Sequence, residues 1–104
     1  MNIPCIVRDS EEREDGIILS LSPYGAFVQM SHPPSPGKIH SIFFSLPESD
    51  HEILLDALPR WNRRKSEDNP DGSGFEFQGL AAEPFERIGR FVAMAGEKPV
   101  MKES

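Results

Sequence analysis

Residues 16–28, Gly-Ile-Ile-Leu-Ser-Leu-Ser-Pro-Tyr-Gly-Ala-Phe-Val, decide the fold that this sequence predicts. An apolar strand runs into Ser20-x-Ser22-x-x-Gly25, and a second apolar strand begins directly after the glycine. Proline and glycine between two alternating segments are typical of a turn between strands. Small hydroxyls and a glycine at such a turn can present backbone N–H groups and short acceptors to a ligand. The stretch therefore predicts two adjacent strands and a candidate binding site.

Alternating apolar residues continue on both sides of this stretch. Residues 3–7 predict a first strand, and the polar residues 8–15, closed by Gly16, predict a hairpin loop. In the next strand the alternation places on one face Ile17, Leu19 and Leu21. After the turn, the residues predicted to share a face are Ala26, Val28 and Met30.

The middle of the chain predicts further strands separated by rigid or polar loops. Three prolines in residues 32–37 exclude a central strand and indicate a rigid loop. A further strand is predicted within residues 38–46, with Ile42, Phe44 and Leu46 on one face. Residues 52–61 have a strand period through Ile53, Leu55, Ala57 and Trp61, but Pro59 indicates an edge strand or a bulge. A charged loop over residues 63–74 and a short strand over residues 75–78 follow.

The C-terminal part changes to a helical period. Pro84 suits a first helical position, and Phe85, Ile88 and Val92 recur at helical spacing. Gly96 is the predicted stop. The predicted fold is mainly β: a six-stranded antiparallel barrel with a C-terminal α-helix packed over one opening. We expect one domain over residues 1–104, with the barrel at about 3–80, the helix at about 84–95 and a flexible tail at 97–104.

Composition excludes several classes of function. The 104 residues carry a formal net charge of −6, which disfavours general nucleic-acid binding. No apolar run is long enough to span a membrane, and no signal peptide is visible, so we expect a cytoplasmic location. The single cysteine, Cys5, is expected to be a small buried apolar residue. His32, His40 and His51 lack metal-ligand spacing, and no nucleophile motif surrounds Ser20 or Ser22, so neither a metal site nor an enzyme is predicted.

One basic cluster leaves an alternative open. Its members flank Trp61 and are Arg60, Arg63, Arg64 and Lys65. Because Glu67, Asp68 and Asp71 follow at once, a solvated loop is the favoured interpretation. A nucleic-acid-binding barrel that uses this cluster is the weaker alternative.

Four segments together resemble the PilZ domain, a bacterial receptor domain for cyclic di-GMP. They are Ser20-x-Ser22-x-x-Gly25-Ala26-x-Val28, then Pro36-Gly37-Lys38 leading to Phe44-Ser45-Leu46-Pro47, then residues 57–61 ending in Trp61, and finally Gly74-Phe75-Glu76-Phe77 with Leu80 before the helix. The resemblance covers roughly residues 3–94. It implies a six-stranded barrel with a C-terminal helix and no required cofactor, with cyclic di-GMP as the ligand.

The resemblance implies a ligand site in two parts, an Arg-x-x-x-Arg segment before the first strand and an Asp/Asn-x-Ser-x-x-Gly turn. Ser22 and Gly25 match the turn, whereas Ser20 stands where the family has Asp or Asn. Only Met1 and Asn2 precede the first strand, so the nearest substitutes for the arginines are Arg8 and Arg13. Their spacing differs by one residue, and five acidic residues surround them: Asp9, Glu11, Glu12, Glu14 and Asp15. Such a segment repels phosphate.

Two functions follow from the resemblance. The first is a signalling adaptor of the cyclic di-GMP network, in the family's usual setting of motility and pili, which contacts a protein partner and has weak or lost dinucleotide binding. Its predicted contacts are Tyr24 in the turn and, in the rigid loop, His32, Pro33 and Pro34. The alternative is a true cyclic di-GMP receptor that uses Arg8 or Arg13 with Ser20, Ser22 and Gly25.

Overall fold

The fold is a closed barrel of six antiparallel strands with one helix, as the sequence predicts. A computed structural model describes residues 1–34, 36–47, 51–63, 71–79 and 82–95. The elements are β1 (Ile3–Arg8), β2 (Arg13–Ser22), β3 (Gly25–Gln29), β4 (His40–Leu46), β5 (His51–Arg63), β6 (Gly72–Gln78) and α1 (Ala82–Ala95). Around the barrel the strands follow the order β1-β2-β3-β6-β5-β4, and β4 pairs with β1 to close it.

The barrel has two ends with different contents. One end carries the β2–β3 turn and α1, whose Phe85 ring meets the Tyr24 ring edge-on at 5.4 Å. The other end carries the β1–β2 turn and the segment between β3 and β4. That segment is fastened to β5, because Gly37 donates its N–H to the carbonyl of Pro59 and Asn62 donates its side-chain amide to Pro34. The two ends lie a full strand length apart.

The core fills the barrel with residues from all six described strands, and in β1, β3 and β4 alternate residues are buried. The buried faces predicted for β3, β4 and the first part of β5 are confirmed: Ala26, Val28 and Met30; Ile42, Phe44 and Leu46; Ile53, Leu55 and Ala57. Ile88 of α1 is fully buried in the same core, and Phe91 and Val92 pack against it. The helix therefore covers the opening at the β2–β3 end through its apolar stripe.

The predicted hairpin loop over residues 8–15 is wrong in its length. β2 already begins at Arg13, which pairs with Arg8, so the turn itself is four residues long. The Asp9 carboxylate accepts hydrogen bonds from the backbone N–H groups of Glu11 and Glu12, both at 2.8 Å. Polar side chains can occupy a strand whose outer face is exposed, so a polar segment alone does not indicate a loop.

The predicted inward face of β2 is also wrong. Ile18 is fully buried and Ile17 is 39% exposed, while Leu21 is buried as expected. The register between β2 and β3 shifts between Ile18 and Ser20, so Leu19 is the extra residue of a bulge. A bulge exchanges the two faces of a strand, which simple alternation cannot represent.

Pro59 marks a second bulge, in β5. The register with β6 shifts between Pro59 and Trp61, which confirms the bulge that the proline indicates. Because the barrel is closed, β5 is not an edge strand. Because of the extra residue Arg60, Trp61 leaves the buried face of Ile53 and Leu55 and is 51% exposed. The shared face predicted for Trp61 is therefore wrong.

Smaller differences occur near the C-terminus. β6 begins at Gly72, within the loop predicted over residues 63–74, and α1 begins at Ala82, two residues before the predicted start. The predicted stop at Gly96 and the predicted tail at 97–104 lie outside the described residues. In the part of the chain that the structure describes, no helix is long and apolar enough to cross a membrane.

Candidate ligand-binding face of the barrel

The β2–β3 turn is held by the motif serine. The Ser22 hydroxyl accepts a hydrogen bond from the backbone N–H of Tyr24 at 3.1 Å and lies 3.5 Å from the Gly25 carbonyl, a long contact. Such local bonds are how serine stabilises turns. Tyr24 then offers its carbonyl to the N–H of Phe77 at 2.9 Å, which ties the turn to β6. Ser22 therefore has a structural role without any ligand.

Gly25 is needed because β6 passes unusually close. A Cβ at this position would lie 2.3 Å from the carbonyl oxygen of Phe75, a backbone atom that cannot move aside without distorting β6. The glycine of the motif is therefore explained by the close approach of two backbones at the paired residues Gly25 and Glu76.

A row of aromatic side chains crosses the outer face beside the turn. Phe27 on β3 pairs with Gly74 on β6, and Gly74 pairs with Trp61 on β5. The two rings meet over the glycine, with centroids 5.3 Å apart and planes inclined by 19°. A Cβ on Gly74 would lie 2.3 Å from the indole of Trp61, so the glycine provides the space for this stack. The bulge that turns Trp61 outward is supported by Ser73, whose hydroxyl donates to the Trp61 carbonyl at 3.3 Å.

The β2–β3 turn and the row of aromatic side chains enclose a shallow cleft of about 490 Å³, which we call the motif cleft. Its lining consists of Ser20, Ser22, Tyr24, Gly25, Ala26, Phe27, Arg60, Trp61, Gly74, Phe75 and Glu76. Among these lining residues Arg60 is the one cation and Glu76 the one anion, and Arg60 Nε lies 2.7 Å from Glu76 Oε1. The formal charge of this lining is therefore zero. The cleft can offer a ligand an aromatic face, two serine hydroxyls, the Tyr24 phenol and one guanidinium that already has a carboxylate partner.

The structure brings together some of the predicted ligand-site residues and separates others. Ser20, Ser22 and Gly25 line the motif cleft. Arg8 and Arg13 pair with each other at the opposite end of β2, where nine residues at about 3.3 Å each place Arg13 roughly 30 Å from Ser22. The described geometry therefore offers no single pocket formed by Arg8 or Arg13 with Ser22 and Gly25.

Three residues of the motif cleft, Arg60, Trp61 and Glu76, are not among the ligand-site residues that the sequence predicts. Trp61 and Glu76 belong to segments that carry the family resemblance, and Arg60 belongs to the basic cluster for which a solvated loop is the favoured interpretation. The available signal was Pro59, because a bulge after it turns the next residues outward beside β6. Of that cluster, Arg64 and Lys65 lie outside the described residues, so the nucleic-acid alternative stays untested.

The predicted partner contacts lie on two separate surfaces. Tyr24 is 72% exposed at the motif cleft. His32, Pro33 and Pro34 line a second cleft of about 370 Å³ at the other end of the barrel. There the backbone N–H of His32 donates to Glu14 at 3.0 Å, while Asp9 lies 3.3 Å from Lys38 Nζ and 3.5 Å from His40 Nε2. A single partner would have to span the length of a strand to contact both surfaces.

The one cysteine of the chain lies in the core. Cys5 is 4% exposed, and burial, together with the nearby Asp15 carboxylate, raises the pKa of its thiol to about 12. The thiol is therefore protonated and unreactive at neutral pH, as expected for a buried apolar residue. Among the described residues, no three metal-binding side chains come together.

Comparison with known proteins identifies the family. The sequence model of the PilZ domain matches residues 1–94, and the chain belongs to the PilZ domain family. Among curated proteins, none matches the chain at a significant level of sequence similarity.

Two solved structures share the fold. The Bacillus subtilis inhibitor of motility (MotI/DgrA) superposes with a TM-score of 0.79 at 17% identity over 91% of this chain. The chain spans 46% of the length of that protein. The PilZ domain of YcgR from Escherichia coli, solved with cyclic di-GMP, superposes with a TM-score of 0.73 at 12% identity over 90% of this chain and 80% of its own.

Proposed function

We propose that this PilZ domain is a signalling adaptor of the cyclic di-GMP network that acts by contacting a protein partner, and that its own binding of the dinucleotide is weak or lost. We propose no catalytic role for it. Membership of the PilZ family, and the similarity to an inhibitor of motility and to a PilZ domain solved with cyclic di-GMP, support a role in this network. The proposal is carried by one observation: the lining of the motif cleft has no net charge, because its one guanidinium is balanced by Glu76, 2.7 Å away.

The charge balance of the motif cleft argues against tight dinucleotide binding. Cyclic di-GMP carries two phosphate charges, and strong phosphate recognition relies on guanidinium groups that are free for bidentate contacts. Here a phosphate must compete with Glu76 for Arg60, and the uncompensated carboxylate would then repel it. Ser20 adds no charged acceptor for a guanine edge. Aromatic contact with Trp61 remains, but it carries no preference for this ligand.

Calorimetric titration of cyclic di-GMP into the full chain tests the proposal. We expect no saturable heat below about 100 μM ligand in the wild type. In E76Q, which frees Arg60, binding should tighten by no more than about fivefold, because an exposed ion pair is worth roughly 0–1 kcal/mol. E11Q removes the same charge from the turn at the other end of the barrel and should match the wild type.

Saturation of the wild type at micromolar ligand would contradict the proposal and support the second candidate, a true receptor. The motif cleft favours that candidate by its size and its half-exposed Trp61. In that case R60A should abolish the heat, whereas R8A and R13A should not, because Arg13 lies about 30 Å from Ser22 along β2 and Arg8 is paired with Arg13.

Partner contact is tested separately. A photo-crosslinking residue placed at position 24, or at position 33, reports which of the two predicted surfaces meets a protein in the source cell. We expect one of the two positions to yield a discrete adduct, and a crosslinker at Glu86 on α1 serves as the control for chance encounters. Failure of both positions to yield an adduct above that control would contradict the adaptor proposal.

A further inference from the structure

An apolar row crosses the outer side of β4 and its two neighbours, a surface that we call the β4 face. Ile6 on β1 pairs with Phe43 on β4, and Phe43 pairs with Leu54 on β5. Leu54 is 58% exposed, and Ile6 and Phe43 are partly exposed. Three adjacent apolar side chains on an outer barrel face present a surface that another protein can cover.

The neighbouring cross-strand row carries one positive and one negative residue at its two ends. Arg8 on β1 pairs with Ser41 on β4, and Ser41 pairs with Asp56 on β5. The positive and the negative residue therefore lie in one cross-strand row, one strand to either side of β4, at about 4.8 Å per strand. Both are exposed, and neither forms an ion pair with any other described residue.

We propose that the β4 face binds a second copy of this chain in a two-fold symmetric dimer whose axis runs parallel to β4. Rotation about that axis places β1 of one copy against β5 of the other. Ile6 then meets Leu54 of the partner subunit, and Phe43 meets the partner's Phe43. In the neighbouring row, Arg8 meets Asp56 of the partner subunit, and the symmetry repeats this ion pair.

The arrangement of charges selects a second copy over another protein. A symmetric interface must be self-complementary, so it needs opposite charges at positions that the axis exchanges. Arg8 and Asp56 satisfy this condition because both are paired with Ser41. An unrelated partner imposes no such equality of position.

The size of the face sets the strength of the dimer. Two short cross-strand rows on a convex barrel provide far less than the roughly 800 Å² per partner of a typical stable interface, so we expect weak, concentration-dependent association. β4 lies opposite β3 in the ring of six strands, so the dimer leaves the motif cleft open. The dimer proposal therefore does not depend on the proposed function.

Sedimentation equilibrium of the full chain, from about 10 μM to 1 mM, measures this association. We expect the wild type to shift from monomer to dimer within that range. R8D and D56R should each weaken self-association at least about tenfold, because both symmetric ion pairs become repulsive. R90D makes the same change of charge on α1, at a residue that does not line the pocket formed by Leu54 with Glu83 and Arg87, and should dimerise like the wild type.

Mixing the two variants gives the decisive result. In a mixed dimer, the new carboxylate of R8D faces the new guanidinium of D56R, and the native Asp56 of the first faces the native Arg8 of the second. We therefore expect the equimolar mixture to dimerise when neither variant does alone. A monomeric wild type at 1 mM, or a mixture that stays monomeric while both variants unfold at the wild-type temperature, would overturn the proposal.

Discussion

Gly25 and Gly74 provide a matched pair of substitutions with opposite expected outcomes. A Cβ at either position would approach its nearest neighbour to 2.3 Å, so steric crowding alone ranks G25A and G74A as equals. The neighbours differ, however. At Gly25 the neighbour is the Phe75 carbonyl oxygen in β6, and at Gly74 it is the indole of Trp61, a side chain that is already 51% exposed.

The difference between backbone and side chain sets the magnitudes. In G25A the backbone of β6 must shift, and overpacking of this kind costs about 1–3 kcal/mol. In G74A the indole can swing toward solvent, which forfeits the stack with Phe27, worth about 0.5–1.5 kcal/mol. In both variants, replacing glycine by alanine also raises the free energy of unfolding by about 0.4–1 kcal/mol, because alanine restricts the unfolded chain. After this gain, G74A should change stability by less than about 1 kcal/mol. For G25A we expect a loss toward the upper end of its range, about 2 kcal/mol, because the neighbour at 2.3 Å is a backbone atom.

The single tryptophan of the chain makes the assay specific. Thermal unfolding measures stability, at roughly 4–8 °C per kcal/mol for a domain of this size. Acrylamide quenching of Trp61 in the folded protein measures whether the indole has moved. We expect G74A to raise the quenching with a nearly unchanged midpoint, and G25A to lower the midpoint with unchanged quenching. Unchanged quenching in G74A, or a wild-type midpoint in G25A, would refute this account of the two close approaches.

Three further predictions concern the core, the thiol and the β1–β2 turn. I88A should lower the free energy of unfolding, measured by urea denaturation, by about 2–5 kcal/mol, because the fully buried Ile88 attaches α1 to the core. A loss below about 1 kcal/mol would mean that the packing of α1 contributes little to stability. Cys5, whose burial raises its thiol pKa to about 12, should react with a thiol reagent at pH 7 only when the protein is unfolded, and rapid labelling of the folded chain would contradict its burial. Hydrogen bonds from the backbone N–H groups of Glu11 and Glu12, and to a smaller extent the neighbouring Lys38, lower the pKa of Asp9 from 3.8 to about 2. The Asp9 carboxylate therefore stabilises the fold above about pH 4, and this contribution disappears as the pH falls toward 2. The stability difference between wild type and D9A should therefore be constant above about pH 5 and shrink below pH 4, and a difference that grows on acidification would have the wrong sign.

Much of the fold could be predicted from the sequence because burial alternates regularly in most strands. The inward faces of β3 and β4 follow from their alternation alone, and Ile88 follows from helical spacing. Prediction fails at the two bulges, where one extra residue exchanges inside and outside. Of the two, Pro59 gave a local signal because it cannot donate a ladder hydrogen bond, whereas nothing around Leu19 marked its bulge.

The candidate site was only partly predictable for a related reason. Ser22 and Gly25 are adjacent in sequence and form one turn, so a local motif finds them. Arg60 and Glu76 come from different strands and meet only through the closed register of the barrel. Conversely, the family resemblance makes Arg8 and Arg13 the nearest substitutes for the missing arginine segment, although a full strand length separates them from the motif.

The most direct test of the central claim is a two-dimensional amide and indole NMR titration of the wild-type chain with cyclic di-GMP up to 1 mM. This measurement detects binding that calorimetry misses, and it locates the binding through Gly25, Ser22 and the indole N–H of Trp61. The account predicts small, non-saturating shifts confined to the motif cleft, because Glu76 occupies its guanidinium. Signals of Gly25 and Trp61 that move to a new position at one equivalent of ligand would show tight binding and contradict it.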